Sequence, residues 1–128
     1  VASAKKEGKP ALDQTVPTEI RLTETGRRLD LVYPGGEAFS LPAEYLRVLT
    51  PSAEARGHHG QGGHTVAGKK DVRITGVEPV GNYALRLVYD DGHNTGLYTW
   101  SYLRELGATL GAKWQAYLDE LAAQGLSR

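Results

Sequence analysis

The residues that could do chemistry are unevenly spread. Four histidines fall at positions 58, 59, 64 and 93. Neutral imidazole is a good ligand for zinc, nickel or iron, and three ligands with one open position would suit metal-assisted catalysis. His58, His59 and His64 lie within the glycine-rich stretch from Thr50 to Lys70, and His93 follows an Asp-Gly turn. The spacing holds no helical His-x3-His, and no Glu/Asp pattern surrounds them beyond Glu54, Asp90 and Asp91. Glycine on most sides works against a preorganised ligand set. Two readings stand: histidines exposed on a loop, or a weak metal site built from His58, His59 or His64 together with His93. His93 alone also suits hydrogen bonding within its own hairpin.

Other chemistries fare worse. Gly63-His64-Thr65-Val66-Ala67-Gly68-Lys69-Lys70 matches a phosphate-binding loop up to its lysine, but the magnesium-binding hydroxyl position is Lys70. That stretch also precedes a strand pattern, whereas a phosphate loop joins a strand to a helix. Ser40, Ser52 and Ser101 have no G-x-S-x-G elbow. Asp90-Asp91 sits in a turn, where aspartate is favoured for conformational reasons. No catalytic residue is assigned, so an enzyme acting on its own has the least support.

Bulk properties narrow the rest. The chain has 128 residues, 40% hydrophobic and 23% charged, enough for one domain with a core. Fifteen basic side chains balance fifteen acidic ones, which argues against nucleic acid or an anionic membrane as partner. The absence of cysteine removes disulfides, thiolate metal sites and thiol nucleophiles, and fits a reducing compartment. No apolar run approaches the roughly 20 residues of a membrane helix, and Val1 to Pro10 lack a secretory apolar core. A soluble, cytoplasmic protein is expected.

The elements that must position these residues follow from periodicity. Residues 1–16 read as a flexible tail and 17–125 as the domain. Alternation at Ile20 and Leu22, then at Leu29, Leu31 and Tyr33, predicts two strands around a Thr25-Gly26 turn. Pro34-Gly35-Gly36 turns the chain into a short third strand over 37–41. Pro42 is placed to open a short helix at its first position, and Leu41, Tyr45, Leu46 and Leu49 are spaced to form its apolar stripe. Residues 72–80 read as a strand with a bulge near Gly76. Residues 83–89, apolar on both faces, read as the central strand; Asp91-Gly92 turns it back into 95–98. Thr99 or Ser101 can cap a helix that Gly107 ends, and a last helix over about 112–124 shows a Trp114, Tyr117, Leu118, Leu121 stripe. That stripe, like the aromatics Tyr98, Trp100 and Tyr102, suits a core before it suits a binding face or a dimer contact.

An ordered set of segments also carries a resemblance. The segments are Leu41-Pro42-Ala43-Glu44-Tyr45-Leu46-Arg47, Ser52-Ala53-Glu54 with Gly57-His58, Val77-Glu78-Pro79-Val80-Gly81-Asn82-Tyr83-Ala84, and Asp91-Gly92-His93 through Trp100-Ser101-Tyr102-Leu103. Across about 90 residues, 18–107, the chain resembles the N-terminal domain of gamma-butyrobetaine hydroxylase-like proteins, a bacterial family of unknown function. The resemblance implies an accessory module without the oxygenase domain. It also implies a structural zinc, held in the hydroxylases by three cysteines and one histidine. Here the histidine position corresponds to His93, and the cysteine positions fall at Thr50, Ser52 and about Ala55, none of which supplies a thiolate. That zinc site is expected to be lost. Similar domains are fused to iron–sulfur cluster carrier ATPases, which points by analogy to metal or cluster handling.

The expectation is therefore one α+β domain: a mostly antiparallel sheet, a short helix after the third strand and two C-terminal helices. The expected role is a non-catalytic accessory or interaction module that binds a protein partner through the 50–70 loop and the His93–Trp100 region. Arg47, Glu54, His58, His93 and Trp100 are the contact candidates, and the C-terminal helix is a candidate for homo-oligomer contacts. The alternative is a metal-binding protein using the loop histidines with His93.

Overall fold

The structure is a computed structural model that describes residues 16–51 and 65–128. The expected α+β architecture is present, with the antiparallel strands divided between two three-stranded sheets. The first sheet holds β1 (Glu19–Thr23), β2 (Arg28–Val32) and β3 (Ala38–Pro42) in that order. The second holds β4 (Ile74–Val80), β5 (Ala84–Tyr89) and β6 (Gly96–Thr99). Periodicity identifies each strand, but not which strands share a ladder; that depends on pairing between segments distant in sequence.

In the first sheet Leu29 stands opposite both Leu22 and Leu41. Leu29, Leu31 and Leu41 are fully buried, while Arg28, Asp30 and Ser40 face outward and hydrogen bond one another. The β1–β2 turn is unusually tight: Glu24, Thr25 and Gly26 all have positive φ, at 51°, 52° and 89°. In the second sheet β5 is central, and Leu85, Leu87 and Tyr89 enter the core. The ladder between β4 and β5 shifts register between Ile74 and Gly76, which is where the bulge is expected.

Helix α1 (Ala43–Val48) is buried along its whole length. Pro42 is its N-cap in extended geometry, one position earlier than the sequence reading has it, because Pro42 still pairs in β3. Leu41 accordingly belongs to the strand, not to the helix. Helix α2 (Trp100–Ala108) is capped by Thr99, whose hydroxyl accepts from Tyr102 N at 3.1 Å. Gly107 lies inside α2 and does not end it: a Cβ there would approach the Phe39 ring to 2.5 Å, so close packing explains the glycine. Helix α3 (Leu110–Ala123) turns its Trp114–Leu121 stripe onto α1 and the Val66 segment, so this stripe is internal packing. Among the described residues no helix is long and apolar enough to cross a membrane.

Tyrosine hydroxyls join the layers. Tyr98 and Tyr102 donate to Leu46 O and Leu49 O at 2.5 and 2.6 Å, at the C-terminal end of α1. Tyr45 donates to Leu106 O near the end of α2 at 2.7 Å. These are carbonyls that a helix leaves without intrahelical partners, so each buried phenol and each helix end satisfies the other. Burial pushes the Tyr45 phenol up to about 12, so that donor stays protonated.

Candidate functional site

The candidate site forms where the C-terminal end of α1 meets the β5–β6 turn. α1 is apolar except for Glu44 and Arg47, and burying a charge is costly unless it is paired. Arg47, its side chain 4% exposed, donates from Nε to Asp91 Oδ2 at 2.8 Å. Lys69 Nζ approaches the same oxygen to 2.6 Å. The other oxygen, Oδ1, accepts the backbone N–H of His93 at 3.0 Å. Burial by itself raises the Asp91 carboxyl. The bonds from Lys69, His93 N and Arg47 outweigh it and hold the group down to about 2. The Arg47 guanidinium also stands 5.9 Å from the Tyr89 ring centroid.

This turn is shaped locally. Tyr89 N donates to His93 O and Gly92 N to Tyr89 O, and Gly92 takes a φ of 93°. Asp91 does not need positive φ; its carboxylate folds back onto His93 N instead. That bond aims His93 at the end of α1. His93 Nε2 and Thr50 Oγ1 lie 3.1 Å apart in a hydrogen bond, and Thr50 is 2% exposed. Beneath them Tyr89 and Tyr98 share a hydroxyl–hydroxyl bond of 2.7 Å. Burial drives both phenols well above their ordinary range.

The sequence candidates separate clearly. His93 is at this corner. His58, His59, His64 and Glu54 lie outside the described residues. Arg47 and Trp100, expected at a partner surface, are both buried: Arg47 turns to Asp91, and Trp100 donates from Nε1 to Asn82 O at 2.7 Å. An amphipathic pattern ranks Arg47 as exposed because its compensating carboxylate is 44 residues away. Asp91, Lys69 and Thr50 are the residues that sequence reasoning undervalued. Asp91 reads as a turn former, and Lys69 as part of a phosphate-loop lookalike. No local signal joins them.

The corner can be tested against the zinc implied by the resemblance. The His93 nitrogen facing Thr50 is engaged by a neutral hydroxyl at hydrogen-bond distance, and the chain has no thiolate. Structural zinc takes cysteine sulfur and histidine nitrogen, not threonine hydroxyl. The residues present do not fit that group. Among the described residues no cluster of three or more His, Cys, Asp or Glu could hold a metal ion.

Packing leaves the Thr50–His93 contact little freedom. A Cβ on Gly96 would fall 2.3 Å from Thr50 Oγ1 and 3.0 Å from the Tyr98 ring. Gly96→Ala is therefore expected to displace Thr50 and cost about 2 kcal/mol. Its signature is a shifted His93 ring resonance in two-dimensional NMR. Unchanged His93 signals with a stable fold would refute the coupling.

Fold and site together define a small α+β domain whose charged residues are used to hold loops against a buried helix. Comparison with known proteins places it more closely. The chain belongs to the family described as gamma-butyrobetaine hydroxylase-like, N-terminal, whose model matches residues 20–104. Two solution NMR structures are similar to it. One has 47% identity and a TM-score of 0.74, covering 89% of this chain and 90% of that one. The other has 42% identity and a TM-score of 0.76, covering 94% and 90%. A crystal structure of an Acidithiobacillus ferrooxidans protein of unknown function, from the DUF971 family, has 40% identity and a TM-score of 0.62 over 75% of this chain and 97% of that one. No curated protein gives a significant match.

Proposed function

We propose that this domain is a non-catalytic accessory module that presents the β5–β6 turn around His93 to a protein partner. The observation that carries this reading is the commitment of Asp91. Its carboxylate bonds Arg47, Lys69 and the His93 backbone together. A carboxylate held that low by three donors is a poor general base at neutral pH and a good structural tie. It fixes the turn, the end of α1 and the Lys69 segment relative to one another, which is what a rigid recognition surface needs.

The test is capture from native lysate by wild-type protein, by a variant lacking residues 57–63, and by His93→Ala. Loss of the same captured protein in both variants supports the reading; undiminished capture by both refutes it. The alternative, a metal-binding protein using His58, His59 or His64 with His93, is checked by metal analysis of untagged wild type, His58→Ala and His93→Ala. Stoichiometric metal in wild type that both substitutions abolish would favour that alternative, and with it a link to metal or cluster handling.

A further inference from the structure

The second buried charge of α1 has a different kind of partner. Glu44 is 6% exposed, and its carboxylate receives the Arg128 guanidinium in a fork: Nη2 to Oε1 at 2.8 Å and Nε to Oε2 at 3.1 Å. The Arg128 guanidinium carbon also stands 5.3 Å from the Trp114 ring centroid. Trp114 packs against Tyr117 at 5.3 Å and Tyr45 at 6.3 Å, so the acid lies beside an aromatic wall. A buried carboxylate next to aromatic faces selects a guanidinium: the fork matches both oxygens and the planar cation lies against the rings.

Holder and held group are anchored very differently. Glu44 is part of a fully buried helix, and Trp114 and Tyr117 are on α3. Arg128 belongs to a segment with no helix or strand, and its side chain is 45% exposed. Among the described residues, two backbone bonds secure that segment, Gly68 N to Ser127 O and Leu126 N to Leu121 O. A cavity of about 360 Å3 opens beside Arg128, with Lys69, Asp71 and Asp91 among its walls. It offers room for a second chain beside the guanidinium.

We propose that Glu44, Trp114 and Tyr117 form an arginine-recognition site, filled in cis by Arg128, which an arginine side chain of a protein partner enters by displacing it. This rests on the interaction-module reading only for the existence of a partner. The site itself is a property of the isolated domain. An empty site would leave a carboxylate buried without its cation, which is costly, so the site works by exchange. The tethered Arg128 competes at high effective concentration, so the intact chain binds arginine ligands weakly and removal of the competitor exposes the site.

The test uses purified protein and acetyl-arginine-amide, with acetyl-lysine-amide as the control, read by melting temperature and tryptophan fluorescence. Arg128→Ala is expected to melt lower than wild type. The arginine ligand should restore it saturably, binding at least about tenfold more tightly than to wild type or than the lysine ligand does. Glu44→Gln combined with Arg128→Ala should lose that response. If Arg128→Ala does not fold, Arg128→Lys keeps the charge without the fork and should give the same preference for the arginine ligand. Absence of a saturable arginine response in the folded variant, or an equal response without Glu44, overturns the proposal. Concentration-dependent dimerisation of wild type that Arg128→Ala abolishes overturns the partner assignment in favour of a second copy. None of these measurements involves the His93 corner, so failed lysate capture with intact arginine binding would sink the interface reading alone.

Discussion

Asp91→Ala is expected to lower the unfolding free energy at pH 7 by about 3 kcal/mol. The substitution removes the carboxylate from Arg47, a side chain only 4% exposed, and from Lys69. It also removes the acceptor that shapes the turn through His93 N. The pH dependence gives a sharper check. The folded-state carboxyl, held at about 2, lies below its ordinary 3.8. Its contribution is therefore complete above about pH 4 and lost as pH falls through 2. At about 1.4 kcal/mol per unit the full shift would correspond to about 2.5 kcal/mol, and solvent screening at this partly exposed turn reduces that part to about 1 kcal/mol. Urea unfolding of both proteins at pH 7, 4, 3 and 2 should show the gap narrowing over the acid end. A gap that is absent at pH 7, or constant down to pH 2, would show that Asp91 is not the tie described.

Gly26→Ala should be of similar severity for an unrelated reason. Gly26 has a φ of 89°, and an added Cβ would lie 2.4 Å from the carbonyl oxygen of Ile74. The left-handed backbone alone costs an L-residue about 1–2 kcal/mol. The overlap is with backbone of β4, which cannot rotate away as a side chain would, and adds about 1–3 kcal/mol. The turn of the first sheet rests against the first residue of the second, so the loss should propagate to both. Amide exchange can read this: protection in β1–β2 and at the start of β4 should fall together. Wild-type protection in β4 would mean the two sheets are not coupled through this contact.

Much of the fold is legible because its signals are local. Alternation at Leu29 and Leu31, the central apolar strand through Leu85 and Leu87, the Thr99 cap and the Trp114–Leu121 stripe each need only neighbouring residues. The His93–Thr50 contact has no such local signal; only the resemblance sets the two positions side by side. Arg47 was misplaced because its charge suggests a surface, whereas its partner comes from 44 residues away; Trp100 follows the core reading of its aromatic cluster, not its place among the contact candidates. A sequence pattern prices a buried charge without knowing whether a counter-charge will arrive.

The chain by itself determined the α+β class, the order of strands and helices, the loss of any thiolate chemistry and the family, because these depend on periodicity, composition and short ordered segments. Only the tertiary structure decided that the strands form two sheets, that α1 is buried on every side, and that its two charges are neutralised separately. Arg47 is answered by Asp91 from a turn and Glu44 by Arg128 from beyond the last helix. Electrostatic pairing acts through space between segments 44 and 84 residues apart, and no local pattern encodes that distance.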